Sequence, residues 1–547
     1  MTESQVYEAA AEEYVFPLSF QQTRFWFLEQ LAPATSAYHM PIVLRLRGKL
    51  RPDVLADSFQ HVVDRHEALR TRYEPDSQVQ VVAGTWRVPV TLVDLTGLPG
   101  DVLAAVQQKV LRRPFDLWAA PPLRVVLVRT GAEEHVLLAV VHHIACDGWS
   151  LGVLGSELSI VYSALCAGAV PDLRELPVQY GDFALWQRDR FSGDLLRAEL
   201  AHWSAALAKA PAALDLPTDL PRPAEPSHEG GRVSRQLPEA LVRRAEHVAR
   251  SGGASLFMIV LAAYAAVLAR MAGQDVVVVG TATAGRSRTE VADLVGCFIG
   301  VVPLCLDLSG DPSAAELLAC ARTVCRTAFA HEDLPFERLV EHVRPVRDPA
   351  RPPVFQVMLN AQDTPKHPVR WPDVDVTGES PEPGVAKYDL TVDLHRTGDG
   401  AVLDLEFNAD VLTAGTAARV LERVETALGW LATPAAGTPL SEVDIGSADE
   451  WVRPAPVTVP VAAPPEPAAP RDAVEALVLD HMRAVLGKPG LGVADDFFDN
   501  GGSSMSAMSL LLEVERATGY RIGIRDIFRD ATAAGLADRI RSGCGPM

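Results

Sequence analysis

Cysteine is scarce in this chain: seven residues in 547, at positions 146, 166, 297, 305, 320, 325 and 544, with no Cys-x-x-Cys pair. The odd, scattered set argues against a disulfide framework, and a reducing cytoplasm is the expected setting. Long apolar runs are missing as well. The longest, Leu256 to Ala269, has 14 residues and stops at Arg270, too short to span a bilayer and expected as a buried helix. The N-terminus carries Glu3, Glu8, Glu12 and Glu13 in place of the basic and then apolar layout of a signal peptide. Positive charge is in deficit, with 50 Lys and Arg against 70 Asp and Glu, a net charge of −20. Phosphate binding needs clustered cations, so nucleic acid is not an expected partner, and with apolar runs this short no membrane is expected either.

What is present is material for large cores: 48% hydrophobic and 22% charged residues over a length expected to make two to four compact units. Prolines 454, 456, 460, 464, 465, 467 and 470 alternate with Ala and Val, a composition that stays extended and acts as a linker. The expected organisation is an acidic tail over 1–14, a large domain over 15–445, a Pro/Ala-rich linker over 446–471 and a small helical domain over 472–541. A second Pro-rich interval, 211–226, divides the large domain into lobes of about 15–190 and 191–445. No tandem repeat is evident. Strands are expected at Ile42–Leu46, Arg124–Val128, Val136–Val141, Val276–Val279 and Leu403–Phe407. Helices are expected at Val54–Glu67, Asp101–Val110 and Leu151–Leu165. Val136–Val141 is almost continuously apolar, as for a strand buried on both faces.

That strand runs into His142-His143-Ile144-Ala145-Cys146-Asp147-Gly148. Two histidines on an extended segment point to opposite faces, so one can meet a cavity while the other is packed. An imidazole, with an ordinary pKa of about 6.5, accepts a proton near neutral pH. Asp147 can pair with an arginine to stiffen the loop, and Gly148 permits a tight turn. For a bare His-His pair, interior packing or metal binding are the alternatives. No third His or Cys nearby completes a zinc set, so no metal is expected.

The chain here resembles the condensation domains of nonribosomal peptide synthetases. The resemblance rests on ordered blocks: Leu18-Ser19-Phe20-Gln21-Gln22-Thr23-Arg24-Phe25-Trp26-Phe27-Leu28, Arg65-His66-Glu67-Ala68-Leu69-Arg70-Thr71, His142 to Ser150, Tyr180 to Trp186, His331 to Glu337, and Arg347 to Arg351. It implies an α/β (α+β) fold of two chloramphenicol-acetyltransferase-like lobes in a V, with a tunnel between them. It implies His143 as the residue that orients or deprotonates an acceptor amine, with His142, Asp147 and Gly148 in support. Arg65 and Arg70 are the candidate partners of Asp147. One block departs from the pattern: Gly300-Val301 stands where the family usually has Asn-Thr.

Near the C-terminus, Asn500-Gly501-Gly502-Ser503-Ser504 precedes a helical run from Met505 to about Thr518. A serine there lies at the positive end of a helix, which suits a phosphodiester, although an ordinary N-cap uses the same residue. The segment is similar to peptidyl carrier proteins of the same synthetases, small four-helix domains. By that resemblance Ser504 bears a covalent 4'-phosphopantetheine, added by a phosphopantetheinyl transferase.

The order of the two resemblances implies nonribosomal peptide synthesis: an amide-forming acyltransferase that joins an upstream carrier-bound acyl or peptidyl thioester to an aminoacyl group on Ser504. No adenylation signature is present, so loading in trans by a separate adenylation enzyme is expected. The run from Met1 to just past the carrier reads as a self-contained protein, whose acidic start is either a docking segment or a tail. The alternatives are ester formation or another acyl transfer, to a soluble or tethered acceptor, and an inactive platform that recruits tailoring enzymes. The position ahead of the carrier disfavours an epimerase, and the lack of an Asp-x-x-x-x-Asp form disfavours a heterocyclase.

Overall fold

The computed structural model describes residues 12–31, 35–224, 226–344, 348, 350–361, 370–379, 384–398, 400–433, 437–446, 469–502, 504–520 and 522–542. Most of the acidic tail and the Pro/Ala-rich linker, together with Ser503, Arg347, Pro349 and Cys544, lie outside the described residues. The chain forms two compact units. One comprises residues 1–22, 36–74 and 79–455; the other comprises 23–35, 75–78 and 456–547. The short pieces 23–35 and 75–78 thus group with the C-terminal region. Glu13 and Tyr14, read from the sequence as the end of the tail, are the first residues of a strand, Glu13–Pro17, which pairs antiparallel with Val79–Ala83.

The larger unit is mixed α/β. A five-stranded sheet runs in the order Val374–Glu379, His39–Gly48, Glu134–His142, Leu123–Gly131, Val90–Asp94. Glu134–His142 is central, and every residue after Glu134 is buried, which is why its sequence reads as a nearly unbroken apolar run. The edge strand Val374–Glu379 comes from far along the chain and pairs antiparallel with His39–Gly48. A division into lobes at 190 does not foresee that exchange between them. A six-stranded sheet runs Gly300–Asp307, Val276–Thr283, Val357–Ala361, Leu390–Thr397, Gly400–Asn408, Gly230–Leu237.

The expected buried helix is Leu256–Ala272, three residues longer than the apolar run. Apolar on every side, it is stable only when enclosed. It packs against Ala314–Ala330 and Ala414–Leu431 on the six-stranded sheet. Ser255 caps its start through the Met258 N–H, and Gly273 ends it in the left-handed region, φ 67°. Among the described helices, Gly148–Cys166 alone is long and apolar enough to cross a membrane. The bent pair Glu239–Ser251 and Leu256–Ala272 passes that test only jointly. Gly148–Cys166 packs on Pro52–Arg65 and carries a buried Glu157.

Among the described residues, the smaller unit's C-terminal part has four helices, Ala473–Leu486, Ser504–Thr518, Ile524–Arg529 and Ala533–Arg541. Val478, Met482, Phe497, Leu510, Val514, Ile527 and Leu536 form its interior. Asp472 caps the first helix through the N–H groups of Val474 and Glu475, both at 3.0 Å.

Tyr264, on the enclosed helix, is fully buried and its hydroxyl has no partner among the described residues. Removing an unpaired buried hydroxyl relieves its desolvation penalty. Tyr264→Phe is expected to raise the unfolding free energy by about 1 kcal/mol, read by urea titration; a loss of stability would contradict this.

Candidate functional site

The histidine loop begins where Glu134–His142 leaves its sheet. The last ladder pair sets His142 opposite His39. The chain then tightens into a single 3-10 turn, His143–Ala145. His142 Nδ1 accepts from the Ile144 N–H at 3.1 Å, capping that turn. Its ring lies among Tyr38, His39 and Phe115 at centroid distances of 6.1–6.5 Å. His143 donates its backbone N–H to the Tyr38 carbonyl at 2.8 Å and is 7% exposed. The two histidines are therefore not alternating residues of one extended strand, as the sequence pattern suggests: the first ends the strand and the second opens the turn. Cys146 is wholly enclosed, and burial pushes its thiol pKa well up, so it is not a nucleophile.

Asp147 is the N-cap of Gly148–Cys166, accepting from the Ser150 N–H at 2.8 Å. Its second oxygen accepts from the Phe298 N–H at 2.8 Å. Its ionic partner is Arg286, at 3.4 Å, with both side chains nearly inaccessible (2% and 3%). This corrects the expectation that Arg65 or Arg70 pairs with it. Arg65 binds Glu157 at 3.0 Å and the Arg174 carbonyl, while Arg70 binds Glu67 and the Ala83 carbonyl. Both arginines are thus committed to carboxylates and carbonyls of their own surroundings, and Asp147 is satisfied without them.

Arg286 also donates to the carbonyls of Val291 and Leu294 and to Ser150 Oγ at 2.7 Å, with its guanidinium 4.1 Å from the Phe298 ring centre. Burial pushes its pKa down, and the Asp147 charge works against that. The preceding Gly285 has φ 62°, and a Cβ there would fall 1.9 Å from the Phe298 carbonyl. Only glycine fits that approach. Gly148 is different. Its φ is not in the left-handed region, and an added Cβ would meet nothing within 4 Å. The turn itself does not demand glycine, against the sequence expectation.

The separate blocks converge on this pair. Ser150 Oγ donates to the Gly296 carbonyl at 2.8 Å. Tyr180 donates to the Cys297 carbonyl at 2.6 Å and meets Ser19 Oγ at 2.9 Å. His66 joins Glu157 at 2.7 Å and accepts from the Val295 N–H at 3.3 Å. Burial alone would raise the Glu157 pKa, but the hydrogen bond from His66 and the Arg65 guanidinium outweigh it and hold the carboxyl low. Sequence reasoning misses Arg286, Ser150 and Tyr38 as working residues. Gly285-Arg286 is visible as a pair, but nothing local marks a partner 139 residues away.

In the C-terminal unit, Ser504 is the first residue of its helix. Gly501 has φ 100°, and a Cβ on Gly502 would fall 2.2 Å from the Phe497 ring. The two glycines thus let the chain press onto Phe497 and enter the helix at Ser504. A helix N-terminus offers free N–H groups and positive potential to a phosphate, so the local backbone fits a covalent phosphopantetheine.

The site thus comprises a histidine loop at a strand end, braced by a buried carboxylate–guanidinium pair, and, in the C-terminal unit, a serine that opens a helix. A family model described as a condensation domain matches residues 12–450, and one described as a phosphopantetheine attachment site matches residues 476–540. The chain belongs to the condensation-domain family of nonribosomal peptide synthetases, with a phosphopantetheine carrier domain following. It is 38% identical over 438 residues to the malpinin synthetase of Mortierella alpina, covering 79% of this chain and 6% of that protein. It is 37% identical over 478 residues to the isonitrile lipopeptide synthase of Mycobacterium tuberculosis, covering 83% and 19%. The chain therefore spans less than a fifth of the length of either of these curated relatives. Among solved structures it is similar to the complex of the X-domain and OxyB from teicoplanin biosynthesis, with TM-score 0.73, 30% identity, and 80% and 97% of the two chains covered. A four-domain synthetase bound to AMP and glycine shares the fold at TM-score 0.72 and 19% identity, over 94% of this chain and 40% of that one.

Removing one partner of the buried pair strands the other's charge. Asp147→Ala and Arg286→Met are each expected to cost about 3–5 kcal/mol, with the double variant costing less than their sum. Additive losses in denaturant titrations would contradict the pairing. Glu157, held below its ordinary value of 4.5, stabilises the fold above that pH and loses the contribution as pH falls through its folded pKa. The stability gap between wild type and Glu157→Gln is therefore expected to be full at pH 7 and to shrink below about pH 4.5.

Proposed function

We propose that this chain forms an amide bond between an acyl or peptidyl thioester, delivered by an upstream carrier protein, and the amine of an aminoacyl group held on Ser504. The condensation domain occupies about 15–445 and the carrier 472–541, joined by the linker 446–471. The observation that carries this reading is the bracing of His143. Its N–H is held by Tyr38, its neighbour His142 caps the turn, and Asp147 is locked by Arg286, Ser150 and Phe298. A rigid loop of this kind holds an imidazole in one place, and positioning is a large part of acyl-transfer catalysis.

The phosphopantetheine, when bound, supplies a thiol that holds the aminoacyl group as a thioester on a long arm. His143 orients the acceptor amine and takes its proton as the new C–N bond forms. The donor's C–S bond breaks, and the proton passes to the departing thiolate. A phosphopantetheinyl transferase modifies Ser504. The interval between the two matched segments is too short for an adenylation domain, which supports loading in trans by a separate adenylation enzyme.

A second reading is favoured by the similarity to the X-domain–OxyB complex: the condensation fold as a platform that binds another protein. The test is intact-protein mass spectrometry of chain loaded at Ser504 and challenged with a panel of donor thioesters. Amide formation predicts a mass gain of one donor acyl group, lowered about 10²-fold in rate by His143→Ala and abolished by Ser504→Ala. No gain from any donor despite verified loading would favour the platform.

A further inference from the structure

The carbonyl that holds the His143 N–H belongs to Tyr38, and the Tyr38 side chain meets groups from two parts of the larger unit. The His142 ring lies 6.5 Å from it between ring centres. The Lys387 ammonium stands 5.4 Å from the centre of the Tyr38 ring. Tyr38 immediately precedes His39–Gly48, in the sheet that carries the histidine loop. Lys387 comes from the run into Leu390–Thr397, in the six-stranded sheet.

The backbone that carries Lys387 has little freedom. Ala386 donates its N–H to the His228 carbonyl at 2.9 Å, and Tyr388 stacks on Phe355 with 5.5 Å between ring centres. Asp389 accepts from both terminal nitrogens of Arg222, at 2.9 and 2.6 Å. It also donates its own N–H to the Gln356 carbonyl at 2.9 Å. With residues on either side pinned, the lysine stem leaves from a fixed point. Glu406, on the adjacent strand Gly400–Asn408, feels the same charge: burial pushes its carboxyl pKa up, and the Lys387 ammonium and backbone N–H work against that.

Tyr38 is 9% exposed and Lys387 half-buried. A cation over a ring gains most where water is kept away. The Tyr38 ring hangs from the same residue whose carbonyl accepts from His143, so a ring that shifts carries that acceptor with it.

We propose that Lys387 is a positioning residue for the amide-forming reaction: its ammonium pins the Tyr38 ring, and the Tyr38 carbonyl then fixes the backbone from which the His143 imidazole projects. The six-stranded sheet thereby sets the geometry of a histidine carried by the five-stranded one. This rests on the reading that His143 orients the acceptor amine. Misplacing such a group by about 1 Å costs on the order of 10² in rate, so a modest loosening at Tyr38 is enough to be felt.

Two measurements on the full chain test this, and the first needs no reaction. Hydrogen-exchange mass spectrometry of the unloaded chain reads the peptide spanning 142–148. Lys387→Met keeps the stem and removes the charge; it is expected to speed exchange there about tenfold, with the amides of Val276–Thr283 unchanged. In chain loaded at Ser504, the same variant is expected to lower kcat for donor transfer about tenfold, while KM for the donor thioester stays within about twofold. Lys387→Arg, which keeps a cation over the ring, is expected to restore both readouts. Tyr38→Leu is expected to reproduce the effects of Lys387→Met, and the double variant to be no worse than either alone. A lysine that only stabilises the fold would lower the unfolding free energy and leave kcat and local exchange as they were. That result would overturn the proposal, as would additive losses in the double variant or no recovery with Lys387→Arg. Faster exchange at 142–148 in a chain that accepts no donor in any form would support the grip on His143 and count against the amide-forming reading alone.

Discussion

The buried pairing of Asp147 with Arg286 is the constraint on which the rest of the site depends. One carboxylate caps a helix, receives the Phe298 N–H and faces a guanidinium, all out of contact with water. Such a pair is held less by its own attraction than by the cost of breaking it, since each charge left alone has nowhere to be solvated. Because its members come from the strand-end loop and from the segment 285–298, satisfying them forces those segments together. Ser150, Tyr180 and His66 then tie their neighbours to the same backbone stretch, 295–297, and Ser19 joins through the Tyr180 hydroxyl.

Much of this is legible in the sequence where the cause is local. The apolar run Val136–Val141 marks a doubly covered strand, and the run from Leu256 marks an enclosed helix. The Gly501-Gly502-Ser503-Ser504 segment marks a helix start, because glycines that crowd an aromatic ring and a serine at a helix entry leave a local signature. What stays hidden is long-range pairing. Arg65 and Arg70 are attractive partners for Asp147 only because they sit in a recognisable block, whereas Arg286 gives no sign that it reaches back 139 positions. Gly148 misleads in the opposite sense: a glycine after an aspartate reads as a tight turn, yet its backbone is one that any residue adopts.

The two units solve different physical problems. The larger one holds an imidazole still, using hydrogen bonds on both sides of a single turn. The smaller one starts a helix at a serine, with two glycines packed down so that the chain can turn into it.

The edge strand Val374–Glu379 limits how the larger unit can be divided. It comes from the second half of that unit yet completes the sheet of the first by pairing along His39–Gly48. A chimera spliced at the Pro-rich interval 211–226 would import a foreign residue sequence into the rim of its own N-terminal sheet. A fragment ending there would leave that rim bare, with a row of unsatisfied backbone groups open to other chains. The unit of exchange for recombination, natural or engineered, is therefore the entire larger body and not either half of it.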